Sequence, residues 1–281
     1  MLPKEAREGA TSRKPEVGLR VASAMVLAAL ALGATVLSPW TFLILVMAGS
    51  VILAWEWGRL TRGNGFDGTA LISAVSVASL ATLVSVGRSD LALFLLAAAF
   101  AAIGLTASSP GQAGWSFAGL AYAALPAFAL VWLRSDQAFG AMAVLYIFAV
   151  AWTTDTASYA AGRLIGGPKL APRISPKKTW SGFIVGVLMP ALVGFAFALV
   201  LKVTSASKLA LVSVALALVC QMGDLMESWV KRRFGAKDMS RLIPGHGGLL
   251  DRIDGLLLAA ILAALIALRD LANPGRGLLI W

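Results

Sequence analysis

The chain has 281 residues, of which 59% are hydrophobic and only 14% charged, with a mean hydropathy of +0.82 and a formal net charge of +10. Soluble domains carry about 25% charged residues, so this composition excludes an ordinary soluble enzyme and points to a polytopic membrane protein. The lone Cys220 excludes an internal disulfide framework and the lone His246 excludes a Cys/His zinc site; the basic excess reads as attraction to membrane lipids, not to nucleic acid.

A membrane span needs about 20 apolar residues. Nine segments qualify in chain order: 19–37, 40–57, 69–86, 91–107, 115–133, 138–162, 182–201, 209–230 and 250–268. Pro39, Gly65, Gly87 and Pro110 punctuate the connections. The expected fold is therefore an all-α polytopic membrane protein, a bundle of about nine transmembrane helices. Residues 1–16 read as a disordered cytoplasmic tail, 17–137 as spans one to five, and 138–281 as a catalytic membrane region of spans six to nine. The apolar core of the first span exceeds the 7–15 residues of a signal peptide, so it reads as retained. Trp40, Trp55, Trp57 and Trp115 read as interface anchors.

With nine alternating spans, eighteen of the 24 Lys and Arg residues fall on the N-terminal side of the membrane. Positive-inside bias makes that side cytoplasmic and the C-terminus external. Asp155 and Asp224 then lie about 9–10 Å inside the cytoplasmic ends of spans six and eight, at 1.5 Å per residue. Asp251 and Asp254 lie just inside the start of span nine. Carboxylates from three helices thus meet at one shallow depth.

The polar stretch 228–254, SWVKRRFGAKDMSRLIPGHGGLLDRID, separates the last two spans. Intramembrane charge is costly and marks sites by default. Asp224, Glu227 and Ser228 share one helix face at i, i+3, i+4, as Asp251 and Asp254 do at i, i+3. Clustered carboxylates repel one another, which a hard divalent ion such as Mg²⁺ relieves. The plainer reading is structural ion pairs, Asp251 with Arg252 or Asp224 with Lys231. Lys231, Arg232, Lys237 and Arg241 on one side, and Arg163, Lys169, Arg173, Lys177 and Lys178 on the other, suit an anionic metal-bound substrate. Gly245, Gly247 and Gly248 allow a backbone phosphate cradle or a plain tight turn. His246 suits phosphate binding better than base catalysis.

The stretch from Ser228 resembles the signature of the phosphatidate cytidylyltransferases, S-x-φ-K-R-x4-K-D-x-small-x2-φ-P-x-H-G-G-φ-x-D-R-φ-D, where φ is apolar. Ser228, Lys231, Arg232, Lys237, Asp238, Ser240, Pro244, His246, Gly247, Gly248, Asp251, Arg252 and Asp254 all fall in register. A second stretch is similar to the same family: Asp155, Thr156, Ala157, Tyr159, Gly162 and Arg163, then Ser175 through Trp180 and Gly182. The resemblance is specific from Asp155 to Asp254; spans one to five match only in being apolar. Ser181 departs from it, since the family often has Glu there, so no carboxylate role carries over to that position. Thr154 also departs from it.

The resemblance implies the reaction of CTP with phosphatidic acid to give CDP-diacylglycerol and pyrophosphate, with Mg²⁺ required. It implies that Asp224 and Asp251 hold the metal, with K⁺ an option beside it. On that reading Asp254, Lys237 and Asp238 belong with Asp224 and Asp251 in the catalytic group. Substrate binding falls to Asp155, Ser175, Lys177, Lys178, Ser228, Lys231, Arg232, His246, Gly247, Gly248 and Arg252. The Gly- and Ala-rich helices are compatible with a homodimer, and a bacterial inner membrane is the simplest compartment. Two other readings stay open: an ion-coupled transporter of an anionic substrate and a membrane lipid kinase, which would release a nucleoside diphosphate.

Overall fold

A computed structural model describes residues 4–106, 109–202, 205–244 and 247–281. α1 (Lys4–Leu37) gives way to α2 (Pro39–Arg62) at Ser38. There the Ser38 hydroxyl accepts from Thr41 N–H at 3.1 Å and the Thr41 hydroxyl accepts from Ser38 N–H at 3.1 Å. Pro39 sits in the first turn, where its missing N–H is no loss. α2 stops at Gly63, whose φ of 75° is left-handed. Arg62 then clamps Asp67 at 2.6 and 2.9 Å, and Asp67 caps α3 (Gly68–Ser85) by accepting from Ala70 N–H at 2.8 Å. α4 (Ser89–Thr106), α5 (Pro110–Arg134) and α6 (Gly140–Leu164) follow. An antiparallel hairpin, β1 (Lys169–Ala171) and β2 (Ser175–Thr179), leads into α7 (Trp180–Leu188) and α8 (Ala191–Leu201). α9 (Ala206–Arg233), α10 (Leu250–Ala267) and α11 (Pro274–Leu279) complete the chain.

α1 begins at Lys4, so it takes in residues 4–16, which composition led us to expect as a disordered tail. Nine spans are expected from sequence. Among the described residues seven helical segments are long and apolar enough to cross a membrane, the sixth being α7 and α8 together, Trp180–Leu201. Pro190 breaks that segment because it has no N–H for the helix ladder. The first expected span coincides with the shorter apolar run Val21–Leu37. The ninth coincides with α10, whose first turns carry Asp251, Arg252 and Asp254. Outward-facing side chains such as Leu71, Phe94, Leu105, Leu192, Val200 and Leu211 are exposed, as a lipid-facing surface requires. The protein is an integral, multi-pass, all-α membrane protein.

Two apolar clusters organise the interior. One joins α5, α6, α8, α9, α10 and α11 around Tyr146, Leu216, Ala260 and Leu278. The other joins α2 to α5, and it extends to Val230, Met239 and Leu250 at the polar end of the bundle. The N-terminal helices therefore underpin the polar stretch. Trp57 and Trp115, expected as interface anchors, belong to this interior packing. Trp57 is buried, donates its indole N–H to the Trp115 carbonyl at 2.8 Å, and lies with its ring 5.4 Å from that of Tyr122, tilted by 34°. A buried indole needs an acceptor, and the Trp115 carbonyl supplies it. Trp40 is exposed, in keeping with an anchor.

α9 and α10 touch backbone to backbone at Gly223 and Gly255. A Cβ on Gly223 would lie 2.8 Å from the Asp254 carbonyl, and one on Gly255 would lie 2.5 Å from Cys220 Sγ. This contact brings Asp224 and Asp254 to one wall. Gly223→Ala is expected to destabilise the protein by about 1–3 kcal/mol through overpacking, read as a lower unfolding temperature in detergent. An unchanged unfolding temperature would show that the helices do not need this approach.

Candidate active site

A cavity of about 770 Å³ opens at one end of the bundle, walled by α6, β2, α7, α9, α10 and Asp238 of the connection between the last two long helices. Each wall has a local cause. α9 presents Asp224, Glu227 and Lys231 on one face, with Gln221 one turn earlier. α6 presents Asp155 with Ser158 at i+3. β2 brings Ser175, Lys177 and Lys178, and ends at Thr179, whose hydroxyl accepts from Gly182 N–H at 3.2 Å to start α7. α10 contributes Asp251, Arg252 and Asp254 from its opening turns.

The hairpin was not expected from sequence. Its turn is closed by Ile174 N–H on Ala171 C=O, and its base by Trp180 N–H on Pro168 C=O. Ser181, in place of the family's usual Glu, donates to the Gly166 carbonyl and lies 3.0 Å from the Thr179 hydroxyl. It secures the hairpin's approach. Thr154 is fully buried and its hydroxyl turns back onto Val150 C=O, so it serves its own helix.

Ion pairs hold the walls together, though not the pairs that the plainer structural reading offered. Lys178 pairs with Asp224 at 2.6 Å. Lys231 bridges Glu227 at 2.6 Å and Asp251 at 2.7 Å. Neighbours at i, i+1 on a helix point apart, which separates Asp251 from Arg252. Lys231 lies two turns beyond Asp224 and instead reaches back to Glu227 and across to α10. Asp251 is held on both oxygens: Oδ1 accepts from Lys231, and Oδ2 accepts from Met239 N–H at 2.9 Å and Gly248 N–H at 2.8 Å.

Not every expected residue reaches the cavity. Ten of the expected site residues line it: Asp155, Ser175, Lys177, Lys178, Asp224, Lys231, Asp238, Asp251, Arg252 and Asp254. Ser228 and the exposed Lys237 do not. Arg232 donates to the backbone carbonyls of Ile174 at 3.3 Å and Ala236 at 3.2 Å, tying the hairpin to the end of α9. Gly247 and Gly248, for which a phosphate cradle and a plain tight turn were both open, commit their N–H groups within the fold. Gly247 donates to Ile243 C=O and Gly248 to Asp251, so the segment folds on itself and onto a carboxylate. His246 and Gly245 lie outside the described residues. Sequence reasoning missed Ser158 and Gln221, which hydrogen-bond each other at 3.0 Å; extending the faces of Asp155 and Asp224 by one turn would have found both.

The lining carries five cations, Arg163, Lys177, Lys178, Lys231 and Arg252, against six carboxylates. The cavity is thus a mixed-charge site, not a simple anion trap. Among the described residues no three carboxylate, His or Cys side chains converge as a ready ligand set. The donors nonetheless fit a hard divalent ion in kind. All are oxygens, and Glu227 Oε1 is buried without a hydrogen-bond partner. Such ions take one or two carboxylates and complete their shell with water and substrate phosphate.

The membrane bundle thus carries, at one end, a cavity whose lysine, arginine and carboxylate side chains suit a charged substrate. The sequence matches the cytidylyltransferase family over residues 18–268, and the chain belongs to that family. A phosphatidate cytidylyltransferase of Brucella suis biovar 1 is 40% identical over 248 residues, covering 86% of this chain and 90% of that protein. One from Staphylococcus haemolyticus is 33% identical over 241 residues, 84% of this chain and 92% of that protein. The likeness therefore reaches into the N-terminal helices, where sequence reading had found only shared apolarity.

Proposed function

We propose that the protein transfers the cytidylyl group of CTP to phosphatidate, giving CDP-diacylglycerol and pyrophosphate. The observation that carries this reading is the cavity itself: Asp155, Asp224 and Asp254 share it with Lys177, Lys178 and Arg252 at the end of an apolar bundle. A water-soluble triphosphate and a lipid phosphate can meet only where polar walls adjoin lipid. Likeness over 84–86% of the chain to proteins named for this reaction supports it.

In the reaction a phosphate oxygen of phosphatidate attacks the α-phosphorus of CTP in line. The new P–O bond forms as the bond to the β-phosphate breaks, and pyrophosphate leaves. Lys177, Lys178, Arg163 and Arg252 bind the phosphates of the two substrates and the departing pyrophosphate. Lys178 exchanges Asp224 for a phosphate oxygen as nucleotide enters. Lys231 stays with Glu227 and Asp251 and keeps α9 against α10. Asp224 and Asp251, with the unpartnered oxygen of Glu227 beside them, would hold Mg²⁺, which supplies charge neutralisation between two polyanions; K⁺ is an accessory in the same reading. Rate enhancement comes from positioning and electrostatics more than from proton transfer.

The cavity faces the cytoplasm of a bacterial inner membrane, with the N-terminus inside and the C-terminus outside, which the lysine and arginine bias supports. Purified protein given labelled CTP, phosphatidate and Mg²⁺ in detergent should yield a lipid-soluble cytidine product and pyrophosphate, and chelation should abolish both. A nucleoside diphosphate product would sink this reading in favour of a lipid kinase. Substrate flux in proteoliposomes without nucleotide chemistry would favour a transporter.

A further inference from the structure

We propose that Glu56, in the N-terminal half of the chain, is a positioning residue for Asp251; this rests on the functional reading above. Glu56 lies near the C-terminal end of the apolar run of α2, between Trp55 and Trp57, and is 0% exposed. A carboxylate there must be compensated, and three donors do so. Oε1 accepts from the Ser240 hydroxyl at 2.6 Å and from Leu249 N–H at 2.9 Å, and Oε2 accepts from Leu250 N–H at 2.8 Å. The N-cap position of α10 is Leu249, which has no side-chain acceptor. Glu56 supplies that cap from a helix almost two hundred residues earlier, where a negative charge also suits the helix dipole.

The donors are divided between two carboxylates in a regular way. Gly248 N–H goes to Asp251, while Leu249 and Leu250 N–H go to Glu56. Met239 N–H goes to Asp251, while the Ser240 hydroxyl next to it goes to Glu56. Each of two chain segments is thus pinned by both residues. Gly248 fills the gap between them: a Cβ there would lie 2.4 Å from Glu56 Oε1 and 3.1 Å from Asp251 Oδ2. Glu56 is not part of the cavity wall, so it acts on the reaction through the placement of Asp251. Tyr122 gives the same helix a second support from the N-terminal half, its hydroxyl 3.4 Å from the Asp254 carbonyl.

The test compares Glu56→Gln with wild type in the full-length purified protein. Gln keeps the shape but turns one of the acceptor oxygens into a donor facing a donor. Three quantities are read: CTP sites per protein by equilibrium dialysis, kcat per CTP site with KM for CTP, and hydrogen exchange of a peptide spanning Leu249 and Leu250. The expected result is unchanged site number, KM within about threefold, kcat lower by roughly 10- to 100-fold, and faster exchange confined to the start of α10. Turnover per site equal to wild type overturns the proposal, as does a loss that merely tracks lost CTP sites. If Glu56→Gln does not fold, Ser240→Ala and Gly248→Ala carry the same comparison, and unchanged kcat per site in both overturns it. If wild type itself makes no lipid-linked cytidylate, the functional reading fails separately. The exchange comparison then decides alone, and unchanged exchange overturns the clamp.

Discussion

Asp251→Asn is expected to lower turnover by about 10²- to 10³-fold while leaving the helical fold intact. Asp251 binds Lys231 with one oxygen and two backbone N–H groups with the other. An amide has one acceptor oxygen, so its NH₂ must face either the ammonium or the two amides. The side chain then loses its place between α9, α10 and the Met239 segment, together with the charge that would hold a divalent ion. The fold survives because the helices are held by two apolar clusters that do not include Asp251. Turnover is measured per CTP-binding site, and circular dichroism monitors the fold. Turnover within about tenfold of wild type would mean that Asp251 organises backbone only.

Lys231→Met should produce the largest loss of stability. Lys231 is 12% exposed and bridges Glu227 and Asp251, which are 2% and 3% exposed. Removing it leaves two buried carboxylates without their cation, which costs about 3–5 kcal/mol for a broken buried pair. The expected observation is a sharply lower unfolding temperature in detergent and no measurable turnover. Adding Glu227→Gln to Lys231→Met should recover part of the stability, because one uncompensated charge is removed, yet none of the turnover. Should the double variant be no more stable than the single one, the Glu227–Lys231 contact contributes little.

Much of this site was legible because helices write their faces into spacing. Asp224 and Glu227 on α9, and Asp251 and Asp254 on α10, needed only the 3.6-residue repeat to be grouped. Positive residues around them suggested an anionic substrate, and the 228–254 stretch carried the family resemblance. What failed was pairing. The reading offered Asp224 with Lys231, but Lys178 takes Asp224 from a hairpin that the sequence did not announce. The glycines at 247 and 248 left a phosphate cradle and a tight turn equally open, and their N–H groups are used within the fold. Arg232 read as a phosphate ligand, and its guanidinium ties two backbone carbonyls instead.

By itself the sequence determined the membrane class, the helical architecture and the carboxylate-bearing faces, since these follow from apolar content and from periodicity within single segments. The resemblance from Asp155 to Asp254 also lay within it. Glu56 was visible as a charge stranded between two tryptophans, a signal that went unused. Only the tertiary structure decided what it does. A hydrogen-bond acceptor can be recognised in one segment, but the donors that satisfy it lie on backbone N–H groups about two hundred residues away, and every residue except proline carries one. Which of them it meets depends on how α2 and α10 both pack against α5, which sets Glu56 beside the start of α10, and no local pattern encodes that.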